Sequence, residues 1–160
     1  MKASIAVAVL ALAACADQAR LAPGVSREPE VIAKFGAPAE RRQLSDGARV
    51  LEFPREPEGM ENWRATLAPD GTLRSVEQVI DEPYFAKVLP GMTRNEVLQL
   101  LGRPSEEQSY PRLGEDVVSW RYMEFGSRIM FFNAHFGPSG RLTHTSRTPD
   151  PTVNQGSTEM

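Results

Sequence analysis

The chain has 160 residues, with 18 Lys and Arg against 21 Asp and Glu, a formal net charge of −3, 41% hydrophobic residues and a single Cys. The near-neutral balance argues against a nucleic-acid binder, which carries a basic excess or patch, and the ordinary apolar content argues against wholesale disorder. One Cys excludes a disulfide framework and any Cys-rich zinc site.

Met1-Lys2 gives the chain a positive start, and Ile5 to Ala14 follows as a run of ten apolar residues. That is about half of the ~20 residues needed to span a bilayer. A short apolar core behind a cation, ending in small residues, reads as a secretory leader over residues 1–14. Leu12-Ala13-Ala14-Cys15 matches the bacterial lipobox. The resemblance to lipoproteins implies that the Cys15 thiol is diacylglycerated, that cleavage falls just before it, and that the new amine is acylated. Several acyl chains on one residue meet the two-signal requirement for stable anchoring. Ala14-Cys15-Ala16 also offers a small-x-small site for ordinary cleavage. Ala16, not Asp, follows the Cys. Under the enterobacterial sorting rule this favours the outer membrane, with the body on its periplasmic face.

The body reads as one unit written twice, over residues 15–80 and 81–146. Ala19 to Arg27, with Pro23-Gly24, sits over Ala86 to Arg94, with Pro90-Gly91. Glu30-Val31, Gly36 and Pro38 sit over Glu96-Val97, Gly102 and Pro104, so the first copy carries one extra residue, placed at Pro29 or its neighbour. Leu51, Phe53, Trp63, Ala65, Leu67, Gly71 and Leu73 sit over Trp120, Tyr122, Phe132, Ala134, Phe136, Gly140 and Leu142.

Each copy predicts a short helix, a second helix and about four strands. In the first copy, Pro29 is tolerable in the opening turn of a helix. Val31, Ile32 and Phe35 form its apolar stripe, closed by Gly36 and Pro38. Leu51 and Phe53 share one strand face, as do Trp63, Ala65 and Leu67. Pro69-Asp70-Gly71 predicts a tight hairpin. In the second copy, Thr93 and Glu96 form a capping box, and Val97, Leu98, Leu100 and Leu101 follow as a stripe ended by Gly102 and Pro104. Val118, Trp120 and Tyr122, then Met130, Phe132, Ala134 and Phe136, alternate as strands, with Pro138-Ser139-Gly140 as the hairpin. The expected fold is α+β: two tandem helix-helix-antiparallel-sheet modules, each with its helices on one sheet face, packed on each other. Residues 147–160 lack periodicity and read as a disordered tail.

Pro90-Gly91-Met92-Thr93, Val97, Leu100, Leu101, Gly102 and Pro104, with Trp120-Arg121-Tyr122, Phe136, Gly140 and Leu142, resemble the SmpA/OmlA family of BamE-like outer-membrane lipoproteins. The likeness covers 86–146 well and 19–77 more loosely. It implies helices against an antiparallel sheet and an accessory role in assembling β-barrel outer-membrane proteins. The tandem arrangement is similar to that of β-lactamase inhibitory proteins, which implies an inhibitor or ligand-binding role as the alternative. Both imply a module that grips other proteins.

The residues predict no enzyme, no cofactor and no small-molecule substrate. No nucleophile elbow, phosphate loop, dinucleotide fingerprint or EF-hand loop is present. By strict alternation, His144 shares the face of Leu142 and Phe136 while His135 takes the other, so the two should not share a metal. Opposite the core parity of the second copy lie Val117, Arg121, Met123, Ile129, Phe131 and His135, with Asn133. This apolar face with an Arg in it is the candidate partner surface. The matching face of the first copy, with Val50, Glu52, Asn62, Arg64 and Thr66, is more polar. The competing expectation is that the second copy's face is buried on the first copy or on a second molecule.

Overall fold

A computed structural model describes residues 20–55 and 59–153, so the leader, Cys15 and the end of the tail lie outside the described residues. The first repeat holds α1 (Glu28–Phe35), β1 (Glu40–Gln43), β2 (Arg49–Pro54), β3 (Asn62–Leu67) and β4 (Leu73–Gln78). The second holds α2 (Glu82–Phe85), α3 (Arg94–Leu101), β5 (Glu106–Tyr110), β6 (Glu115–Glu124), β7 (Arg128–Phe136) and β8 (Leu142–Pro149). The strands form two four-stranded antiparallel sheets in the orders β1-β2-β3-β4 and β5-β6-β7-β8.

The second repeat shows the expected helix pair, with α2 a single turn; the positions equivalent to α2 in the first repeat, 15–18, lie outside the described residues. Residues 20–27 of the first repeat form a turn and an extended segment, as 87–93 do in the second. Gly24 takes a φ of 79° there. The segment is pinned to the sheet: Gly24 N donates to Leu73 O at 2.8 Å and Leu73 N to Ser26 O at 2.7 Å. The second repeat makes the same contact: Gly91 N donates to Leu142 O and Leu142 N to Met92 O, each at 2.7 Å.

The two longer helices start alike but are capped unequally. Glu96 N donates to Thr93 Oγ1 at 3.3 Å and Thr93 N to Glu96 Oε2 at 2.7 Å, a full reciprocal box. In α1 the N-cap is Arg27, which has no side-chain acceptor; only Arg27 N to Glu30 Oε2, at 3.1 Å, is made. Since Arg27 and Thr93 hold equivalent cap positions, the extra residue of the first copy precedes Arg27 rather than falling at Pro29. Gly36 and Gly102 end these helices at φ 87° and 75°, with ψ −166° and −154°. That is an extended positive-φ conformation open essentially to glycine.

Each repeat has its own apolar cluster. Val31 of α1 is buried with Leu51, Phe53, Ala65, Leu67 and Leu73, and Phe35 packs against them. Phe85, Val97 and Leu101 are buried with Val118, Trp120, Tyr122, Phe132 and Phe136. The Phe85 and Phe132 rings stack at 4.2 Å.

Both sheets carry the same irregularity. The register shifts between Thr66 and Leu67 against β4, and at the equivalent point between His135 and Phe136 against β8. Leu67 pairs with Leu73 but Thr66 with Ser75; Phe136 pairs with Leu142 but His135 with His144. Arg74 and Thr143 are therefore extra residues, each a β-bulge that reverses the alternation beyond it.

The repeats meet through polar groups. Asn62 Nδ2 donates to Leu101 O at 3.0 Å, and Arg64 donates through a guanidinium NH2 to Gln99 O at 2.8 Å. The outer face of the first sheet thereby satisfies carbonyls at the C-terminal end of α3, where a cation also suits the helix dipole. Arg64 Nε donates to Glu52 Oε1 at 2.6 Å, and Glu52, Asn62 and Arg64 are all buried. The more polar face is thus the one that is covered.

The tail boundary also moves. Arg147, Thr148 and Pro149 are ladder residues of β8 opposite Phe132, Phe131 and Met130, and Asp150 is buried. Among the described residues no helix is long and apolar enough to cross a membrane.

Candidate functional site

The outer face of the second sheet is built by the pairs Val117–His135, Ser119–Asn133, Arg121–Phe131 and Met123–Ile129 on β6 and β7. All six residues singled out from the sequence therefore lie on one face. They do not form one surface patch. Val117, Phe131 and His135 line a groove of about 380 Å³ with Tyr110, Leu113 and Pro151. Met123 and Ile129 stand at the far, hairpin end. There Met123 borders a separate cavity with Met60 and Ile80. Phe125, at the tip of that hairpin, is 90% exposed at a φ of 50°.

The groove floor carries apolar Val117 and Phe131 with a hydrogen-bonded ladder running across the sheet between them. Ser119 Oγ donates to Asn133 Oδ1 at 2.7 Å. Asn133 Nδ2 donates to Ser146 Oγ at 3.2 Å and to Thr148 Oγ1 at 3.1 Å. Ser146 Oγ lies 2.8 Å from His135 Nε2. These contacts cross β6, β7 and β8 and hold the side chains in place.

Arg121 is engaged rather than displayed. Its Nε donates to Asp150 Oδ2 at 2.6 Å. Burial pushes the Asp150 carboxyl up, but the Thr152 hydroxyl and amide and the Arg121 guanidinium together hold it below the ordinary carboxylate value. Asp150 N also donates to Ile129 O at 3.0 Å, which fastens the segment after β8 to the edge of the face.

The two histidines overturn the opposite-face expectation. His135 and His144 are cross-strand partners, and their rings stack at 4.1 Å with 15° between planes. The bulge at Thr143 inverts the parity on which the expectation rested. Glu115 on β6 joins them, with Oε1 3.2 Å from His135 Nδ1. Glu115, His144, Ser146 and Asp150 were not among the residues the sequence singled out as a surface. After Leu142, β8 reads Thr-His-Thr-Ser-Arg-Thr, with no apolar residue to mark its register. A signal stood in the other copy: Leu73 and Val76 both pack into the first core at a spacing of three, which strict alternation forbids.

No family model matches the chain, and no curated protein matches it. Among solved structures it matches a "putative beta-lactamase inhibitor protein" from Streptococcus mutans at 12% identity and a TM-score of 0.29, over 77% of this chain and 82% of that one. It also matches YjgB, a DUF4309 family protein from Bacillus subtilis subsp. subtilis str. 168, at 16% identity and a TM-score of 0.30, over 83% and 85% of the two chains. At such scores neither likeness carries an argument about fold or function.

Proposed function

We propose that the chain is a lipid-anchored, non-enzymatic adaptor on the periplasmic face of the outer membrane. It holds another envelope protein against the outer face of its second sheet, in envelope biogenesis or β-barrel assembly. The observation that supports this is a difference between two equivalent faces. In the first repeat that face grips protein, by seating the end of α3 on Asn62 and Arg64. In the second repeat the same face carries a groove where apolar Val117 and Phe131 flank a fixed polar ladder from Ser119 to Thr148. Such a mixture of apolar and hydrogen-bonding groups suits a protein contact. The lipobox ending at Cys15 supports the anchor, and the SmpA/OmlA resemblance supports the setting.

In-cell photo-crosslinking from positions 108, 113 and 117 tests the reading. Adducts with an integral outer-membrane protein, abolished when Cys15→Ala releases the chain from the membrane, are expected. No envelope protein recovered from any of the three positions would remove the adaptor role. Adducts only with a soluble periplasmic hydrolase, slowed by equimolar purified protein, would transfer the reading to the inhibitor alternative.

A further inference from the structure

We propose that Glu115, His135 and His144 form a binding site for a borderline divalent transition cation, zinc above all. The three residues come from three neighbouring strands, β6, β7 and β8, and one ligand atom from each lies within 4.8 Å of the others. The proposal stands independently of the adaptor reading.

The spacing of the inner pair fits two ligands of one ion. In a tetrahedral site with metal bonds of about 2.0–2.2 Å, ligand atoms sit roughly 3.2–3.6 Å apart. His135 Nδ1 and Glu115 Oε1 are 3.2 Å apart. Nδ1 is enclosed and makes no hydrogen bond. We assign the ring proton to Nε2, which lies 2.8 Å from Ser146 Oγ. Nδ1 then carries a lone pair beside the carboxylate oxygen without pointing straight at it, which leaves room for a cation that both atoms could reach. An imidazole that donates its other N–H to a fixed oxygen is also how metal-bound histidine is oriented. Here the fixed oxygen belongs to the Asn133–Ser146 ladder.

His144 supplies the third vertex. Its ring lies on that of His135 and the residue is exposed, so it can turn about its side-chain bonds without disturbing the core. Two imidazoles and one carboxylate suit zinc and its transition-metal neighbours better than magnesium or calcium, which prefer all-oxygen sites. Three protein ligands leave a fourth position for water or a partner's side chain, as in open zinc centres.

The test is calorimetric titration of the protein, carrying no polyhistidine tag, with Zn²⁺ and with Mg²⁺ as control. The imidazole signals of both histidines are followed by NMR in parallel. One Zn²⁺ per chain is expected, with both imidazoles shifting together and Mg²⁺ without effect. His144→Ala and Glu115→Gln should each weaken binding by about tenfold or more, while the metal-free variants keep the parent's melting temperature. The absence of saturable one-to-one binding, or affinity unchanged in both variants, would overturn the site. The imidazole shifts in the unaltered protein decide the matter even if a variant folds poorly.

Discussion

Asn62 and Leu101 lie in different repeats, are both fully buried, and are joined by one hydrogen bond of 3.0 Å from the Asn62 amide to the Leu101 carbonyl. The carbonyl is one of those that a helix end leaves without an internal partner. Asn62→Ala should therefore destabilise the protein by about 1–3 kcal/mol, the cost of stranding a buried acceptor. Urea unfolding measures this, and an unchanged midpoint would show that the contact between repeats contributes nothing.

The two helix-ending glycines separate backbone strain from packing. Gly36→Ala meets no neighbour within 4 Å and should cost only the conformational strain, about 1–3 kcal/mol. Gly102→Ala places its Cβ on the Asn62 amide nitrogen, which cannot withdraw without losing Leu101 O. Gly102→Ala should be the more damaging of the two. Equal midpoints in urea would mean that Asn62 does not pack against Gly102 as described.

Glu52 and Arg64 form a buried pair between the sheet and α3. Arg64→Ala should cost about 3 kcal/mol, because it leaves the buried Glu52 carboxylate with only the partly exposed Arg42, 3.8 Å away. Burial already pushes the Glu52 carboxyl up, against the pull of Arg64 and Arg42. The folded state thus binds this proton more tightly than the unfolded chain. Without Arg64 the folded Glu52 value rises further, so the deficit in Arg64→Ala should shrink as pH falls from the variant's folded value to the parent's. A deficit independent of pH would show that Glu52 is not the group left unpaired.

Asp150 works in the opposite sense. Its folded value is depressed, so its contribution is present above the ordinary carboxylate value and is lost as pH falls through the folded value. Asp46, Asp70 and Glu96 are also lowered, each first by a hydrogen bond: from Arg74, from the Thr72 hydroxyl and from the Thr93 amide respectively. Asp150→Asn should lower stability at neutral pH and flatten its decline in acid. Parallel pH profiles for parent and variant would refute the pairing with Arg121.

At the start of α3, Thr93→Ala should cost about 1 kcal/mol, the usual loss on removing a threonine N-cap. Arg27→Ala in the first repeat should cost less, since Arg27 offers no side-chain acceptor to lose. A thermal melt of both variants orders them.

Much of this architecture was legible because its determinants are local. Thr93 and Glu96 are three residues apart and satisfy each other's backbone amides. Pro69-Asp70-Gly71 and Pro138-Ser139-Gly140 close their hairpins with Gly71 and Gly140 at φ 87° and 70°. The alternation of Trp120, Tyr122 and Phe132 marked the buried face because burial there is large and periodic. Where the apolar pattern ends, at Leu142, register becomes invisible, and strict alternation puts His144 on the wrong face. The end of β8 failed for the same reason, since Asp150 is held by Arg121, 29 residues away.

The order of residues by itself determined two sibling modules, their turns, their helix caps and the faces that became cores, because each depends on neighbours within a few positions. Only the tertiary structure decided which sheet face is covered and which bears the groove, and that His135, His144 and Glu115 meet. Those outcomes turn on a bulge of one residue and on hydrogen bonds between distant strands, and neither leaves a period in the chain.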